Sequence, residues 1–149
     1  MNEPAKPPAP KRESILRRVL RWVAAAVFIA AGLNHFRNPA FYASIVPPAL
    51  PSPRLLVLLS GVFEVAGGVG LLIPSLRRMA GWGLILLLIA VFPANVYMAL
   101  HPERFGMPRW LLWLRLPFQA LFVVWVWWVA QARWKQHPLH ASAPPRAES

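Results

Sequence analysis

The stretch SGVFEVAGG, Ser60–Gly68, places one carboxylate, Glu64, in the middle of the apolar run Leu55–Ile73. A helix of those nineteen residues rises about 28 Å, close to the hydrocarbon thickness of a bilayer. Stepping by three and four from Glu64 reaches Ser60, Gly61, Gly67 and Gly68. The acid therefore lies on the one face without bulky side chains. Small faces let helices approach closely in lipid, so Glu64 is expected to point into a bundle.

Three more apolar blocks share the chain: Arg18–Leu33, Met79–Leu100 and Trp110–Ala130. Hydrophobic residues make up 57% of the 149 residues and charged ones 14%, with a mean hydropathy of +0.45. That balance points to lipid as solvent. The expected fold is all-α, an integral membrane bundle of four antiparallel transmembrane helices near 15–35, 55–73, 79–100 and 110–132. The short links PSLRR and HPERFGMPR fit an up-down-up-down path. Residues 1–14 and 135–149 are proline-rich and polar and read as disordered cytoplasmic tails around a domain of residues 15–134.

The first block has a basic flank, and RRVLR echoes a twin-arginine signal. No small-x-small site precedes a polar mature start, so a retained anchor is expected. The connection HFRNPAFYASIVPPALPSPR holds too many prolines for a continuous helix and too many apolar residues for a solvated loop. It reads as a short amphipathic segment in the interface ended by Pro47-Pro48, or as a stiff linker between helix ends.

The formal charge of +11 does not indicate nucleic acid, because no basic face interleaves with aromatics in a folded domain. Lys6, Lys11, Arg12, Arg17, Arg18, Arg21, Arg77, Arg78, Arg133, Lys135 and Arg146 fall on one side of the four spans. Arg37, Arg54, Arg104 and Arg109 fall on the other. This asymmetry places both termini in the cytoplasm. Cysteine is absent, which removes disulfides and thiolate chemistry from this chain. With no aspartate, and only His35 and His101 on the outer side, no metal site is expected.

The remaining polar residues can be placed by depth. Glu64, Asn95, Arg115 and Gln119 fall in the outer half of the membrane, and Asn34 and His35 close the first helix there. Arg115 is the one base well inside the hydrocarbon and Glu64 the one acid. They are expected to pair, with Asn95 and Gln119 satisfying the remaining donors and acceptors. Pro93 and Pro117 would free the carbonyls of Ile89 and Trp113, either for this pocket or as ordinary packing kinks. The cluster itself reads as a ligand site or as a structural clamp.

The runs GLNHFRNPAFYASIVPPALPSPR, LSGVFEVAGGVGLLIP, AVFPANVYMA and LWLRLPFQ resemble, in order, motifs of the DoxX-like family of small bacterial membrane proteins. The likeness spans residues 19–130 and includes His35, Glu64, Asn95 and Arg115. It implies a four-helix protein of the bacterial plasma membrane, a redox-complex protein partner, and quinone-linked oxidation nearby. The chain carries no cofactor signature of its own. A quinone head group or a small polar ligand in an outward-opening pocket would be hydrogen-bonded by Glu64, Asn95, Arg115 and Gln119.

Three functions follow as expectations. One is a non-catalytic subunit or partner of a larger membrane system, without independent enzyme activity. Another is a small transporter or channel using Glu64 as a proton or cation site. The third is an enzyme in which Glu64 and His35 act as acid and base.

Overall fold

A computed structural model describes residues 13–131. The chain forms α1 (Ile15–Arg37), α2 (Pro39–Ser44), α3 (Pro53–Leu72), α4 (Arg77–Leu100), a single 3-10 turn (Pro102–Arg104) and α5 (Arg109–Ala130). The helices α1, α3, α4 and α5 are each long and apolar enough to cross a membrane. The helix ends expected among the described residues lie within two residues of those observed, and the expected end of the fourth span, residue 132, lies outside the described residues. The expected tails lie outside the described residues, except for Glu13 and Ser14.

Those two residues start α1. Ser14 takes the N-cap position, and its hydroxyl oxygen accepts from the Arg17 N–H at 3.3 Å, which satisfies one of the free donors of the first turn. Glu13 folds back over the next two turns to receive both terminal nitrogens of Arg21, at 2.5 and 2.8 Å. Arg21 is buried, so the bidentate contact offsets the cost of taking its charge out of water. The hydrogen bond from Arg21, followed by the fields of Arg21, Arg77 and Arg18, holds the Glu13 carboxyl below the usual carboxylate range against some desolvation.

The helices run up and down in sequence order. The near end of the bundle carries the start of α1, the α3–α4 link and the end of α5; the far end carries α2 and the α4–α5 link. α1 lies mainly on α3, α3 on α4, and α4 on α5, whereas α1 and α5 touch only lightly. The α3–α4 link occupies residues 73–76, and the Arg77 Nε closes it by donating to the Leu71 carbonyl at 3.1 Å.

Two apolar cores stack along the bundle. The near core joins all four spans through Ala24, Ala25, Phe28, Leu71, Leu84 and Val126. The far core is built from Ile45, Met98, Ala99 and Leu112, with Tyr42 packed against it. The segment expected to lie in the interface is thus a one-and-a-half-turn helix, α2, whose end is tucked into the far core. Large apolar side chains such as Phe63, Leu86, Ile89, Leu121 and Val124 face outward. That pattern suits helices surrounded by lipid rather than water.

Helix backbones come close together where α1 crosses α3. A Cβ on Gly32 would stand 2.7 Å from the Gly61 carbonyl oxygen, and a Cβ on Gly61 would stand 3.0 Å from that of Gly32. Neither site has room for a side chain. The small face of α3 is in fact divided. Gly61 and Gly68 meet α1, while Gly67 and Gly70 meet Leu84 and Ala80 of α4. That division sets the direction in which Glu64 points.

Candidate functional site

The polar side chains expected to form one pocket form two groups. The first joins α1, α2 and α3 at the far half of the bundle. Glu64, one turn past Ser60, packs its Cβ beside Gly32 of α1. The same face brings in His35, three residues beyond Gly32. His35 Nδ1 lies 3.0 Å from the Ser60 hydroxyl, and that hydroxyl donates to the Val57 carbonyl at 2.9 Å.

A serine hydroxyl has a single proton. With that proton on the Val57 carbonyl, the Ser60 oxygen accepts from His35, and Nδ1 carries the imidazole proton. Nε2 is then left to face Glu64. The Nε2–Oε2 separation is 3.9 Å, with the two side chains 10% and 12% exposed. Glu64 Oε2 itself is buried without a hydrogen-bond partner. One proton placed between these atoms would join two acceptors that otherwise oppose each other. The arrangement can therefore hold a proton at Nε2 or Oε2, deep between two helices.

Above it, the Tyr42 ring of α2 lies over the His35 ring with centroids 4.0 Å apart. Asn34 donates to the Tyr42 hydroxyl at 2.8 Å, and Asn38 donates to Asn34 Oδ1 at 2.9 Å. α2 is thus fixed as a roof over the histidine.

The second group ties α4 to α5. The Asn95 amide donates to Gln119 Oε1 at 2.9 Å, and Gln119 Nε2 donates to the Leu88 carbonyl at 2.5 Å. Gln119 is buried, at 7% exposure. Asn95 and Gln119, expected to satisfy a Glu64–Arg115 pair, instead bond one another between α4 and α5.

The expected Glu64–Arg115 pair is not formed. Among the described residues the ion pairs within 4 Å are Glu13–Arg21 and His35–Glu64. Arg115 is half-buried on α5, and α5 packs against α4 and touches α1, while α3 sits on α1 and α4. Similar depth did not bring the two charges together, because their helices are not adjacent. His35, placed at the edge of the expected cluster, is instead the neighbour of Glu64.

The prolines do not feed the pocket either. Pro93 and Pro117 lie within continuous helices, and both are exposed, as are Ile89 and Trp113 one turn back. Any carbonyl released there is on the outward face. The acceptor that Gln119 uses is Leu88, one residue earlier.

Ser60 and Tyr42 are the functional side chains missing from the expected set. Ser60 had a signal, since it lies four residues before Glu64 on the same face. Tyr42 had none beyond its place in an apolar loop. Among the described residues no three histidine, cysteine, aspartate or glutamate side chains converge as metal ligands. A separate hollow of about 280 Å³ opens at the near end between α4 and α5, beside Arg78, Trp82, Trp127 and Gln131.

An antiparallel bundle of four lipid-length helices, with polar ties in its interior and apolar side chains on its exterior, defines a multi-pass membrane protein. Residues 24–130 match the family described as Domain of unknown function (DUF8561), and the chain belongs to that family. Comparison with curated proteins and with solved structures gives no match.

Proposed function

We propose that this protein is a non-catalytic subunit or partner of a larger membrane system, seated in the bacterial plasma membrane with both termini in the cytoplasm. The observation that carries this reading is the use made of the interior polar side chains. His35 bonds Ser60, and Asn95 bonds Gln119, so these groups join neighbouring helices instead of converging on a shared opening. Interior polar groups bonded in this way fix helix positions, and the outward faces are left for association. The excess of arginine and lysine on the near side supports the orientation.

The resemblance to DoxX-like proteins supplies the kind of system, a quinone-linked redox assembly. A quinone head group presents two acceptor oxygens and needs donors converging on them. Asn95 and Gln119 bond one another and the backbone, and Arg115 stands apart from Glu64. That set does not fit a quinone, so in this reading the quinone site belongs to the partner. Affinity purification in mild detergent, with mass spectrometry of proteins and small molecules, should recover a stoichiometric membrane partner. Recovery of the chain alone would overturn the proposal.

A second reading is a small transporter or channel with Glu64 as its proton or cation site. It is favoured by the unpartnered Oε2 beside His35 Nε2. Proton or cation flux into proteoliposomes that Glu64→Gln abolishes would establish it in place of the first.

A further inference from the structure

The seam between α1 and α5 is thinly packed at the near end, and it holds a groove of about 450 Å³ lined by Leu20, Leu121, Val124, Trp125 and Trp128. Deeper in the seam, Phe28 meets Phe122 edge-on with centroids 6.2 Å apart, which closes the groove below. At its mouth the Arg17 guanidinium lies 4.8 Å over the Trp128 ring. The ring holds the cation in place by its π face. Arg17 Nε is buried without a partner, and the guanidinium makes no ion pair with the described residues.

From this geometry we infer that the α1–α5 groove is a binding site for an anionic phospholipid, with an acyl chain along Leu20, Leu121 and Val124 and the phosphate at Arg17. The lining is wholly apolar, as a hydrocarbon chain requires. Arg18, Arg21, Arg77 and Arg78 surround the same end, and the only acid there among the described residues, Glu13, is engaged by Arg21. Such a rim attracts anionic lipid.

Charge also argues against the other occupants. A second copy docked by two-fold symmetry would bring two sets of these arginines together. The chain segment that follows Gln131 carries Arg133 and Lys135, which like Arg17 are cations.

The test is native mass spectrometry of the purified full chain titrated with phosphatidylglycerol, phosphatidylcholine or inorganic phosphate. Phosphatidylglycerol should be retained roughly fivefold better than phosphatidylcholine, the factor that about one surface cation contributes against an anionic headgroup. Arg17→Gln should reduce that preference. Val124→Trp, which fills the groove, should remove binding of both lipids while circular dichroism shows the helices intact. Arg37→Gln, at the far end, should bind as the wild type does. Equal retention of the two lipids by the wild type would overturn the assignment, as would undiminished preference in Arg17→Gln. Binding of phosphate alone as tightly as the lipid, or a dimer that excludes lipid, would do the same.

Discussion

Ser60 is the smallest participant in the far polar group and the one that orients it. Its proton goes to the Val57 carbonyl, so its oxygen fixes which nitrogen of His35 is protonated and which nitrogen faces Glu64. Ser60→Ala should lower the thermal midpoint in detergent by the equivalent of about 0.6 to 1.7 kcal/mol, the range for interhelical hydrogen bonds in membranes. Glu64→Gln should leave the midpoint unchanged or raise it, because the carboxylate receives no hydrogen bond at Oε2 and no guanidinium. A fall of several degrees would mean that the charge is balanced by a contact the geometry lacks. The sequence identified Glu64 as buried because its neighbours at helical spacing are small. It misassigned the partner because apolar run lengths fix depth, whereas azimuth follows from which glycines meet which helix. Gly61 and Gly68 turn toward α1, and nothing in the spacing separates them from Gly67 and Gly70.

At the level of helices, the glycines separate into sites that can and cannot accept a side chain. Gly32→Ala places a methyl group against the backbone of α3, with Gly61 O at 2.7 Å and Glu64 Cβ at 2.9 Å. It should destabilise the bundle by about 1 to 3 kcal/mol through overpacking. Gly83 has nothing within 4 Å of a built Cβ, so Gly83→Ala should be neutral or stabilising by up to about 1 kcal/mol. Thermal unfolding of the two variants in one detergent checks the contrast. The Glu13–Arg21 contact at the start of α1 has a pH signature. Because the folded carboxyl lies below its ordinary value of 4.5, its stabilisation is complete above that pH and is lost as pH falls through the lowered folded value. Glu13→Gln should therefore melt earlier than the wild type near neutral pH, and the two should converge in acid. The four spans were legible because hydrophobic length is a local property, whereas proline placement left the α2 segment open between an interfacial segment and a stiff linker. The division of the polar residues into two groups was not legible, since it depends on α1 lying beside α3 and α5 beside α4.

For the whole molecule, the absence of cysteine makes the proposed orientation directly measurable. Ser75→Cys in the α3–α4 link and Ala49→Cys in the segment before α3 both place a thiol at an exposed position. An impermeant maleimide added to intact cells should label Ala49→Cys only, and both should react after the membrane is opened. Labelling of Ser75→Cys in intact cells would reverse the orientation.

The two polar ties also bear on how the chain is assembled. Each one links spans that follow one another along the chain, α1 to α3 and α4 to α5, whereas across the turn between α3 and α4 the described residues show only the local bond from Arg77 to the Leu71 carbonyl. Either hairpin can therefore complete its own hydrogen bonds as soon as its second span enters the bilayer, before the other half has been synthesised. Joining the halves then requires only close steric fit, Gly67 on Leu84 and Gly70 on Ala80, so two separately inserted hairpins, cut between residues 74 and 75, should find each other and restore the whole.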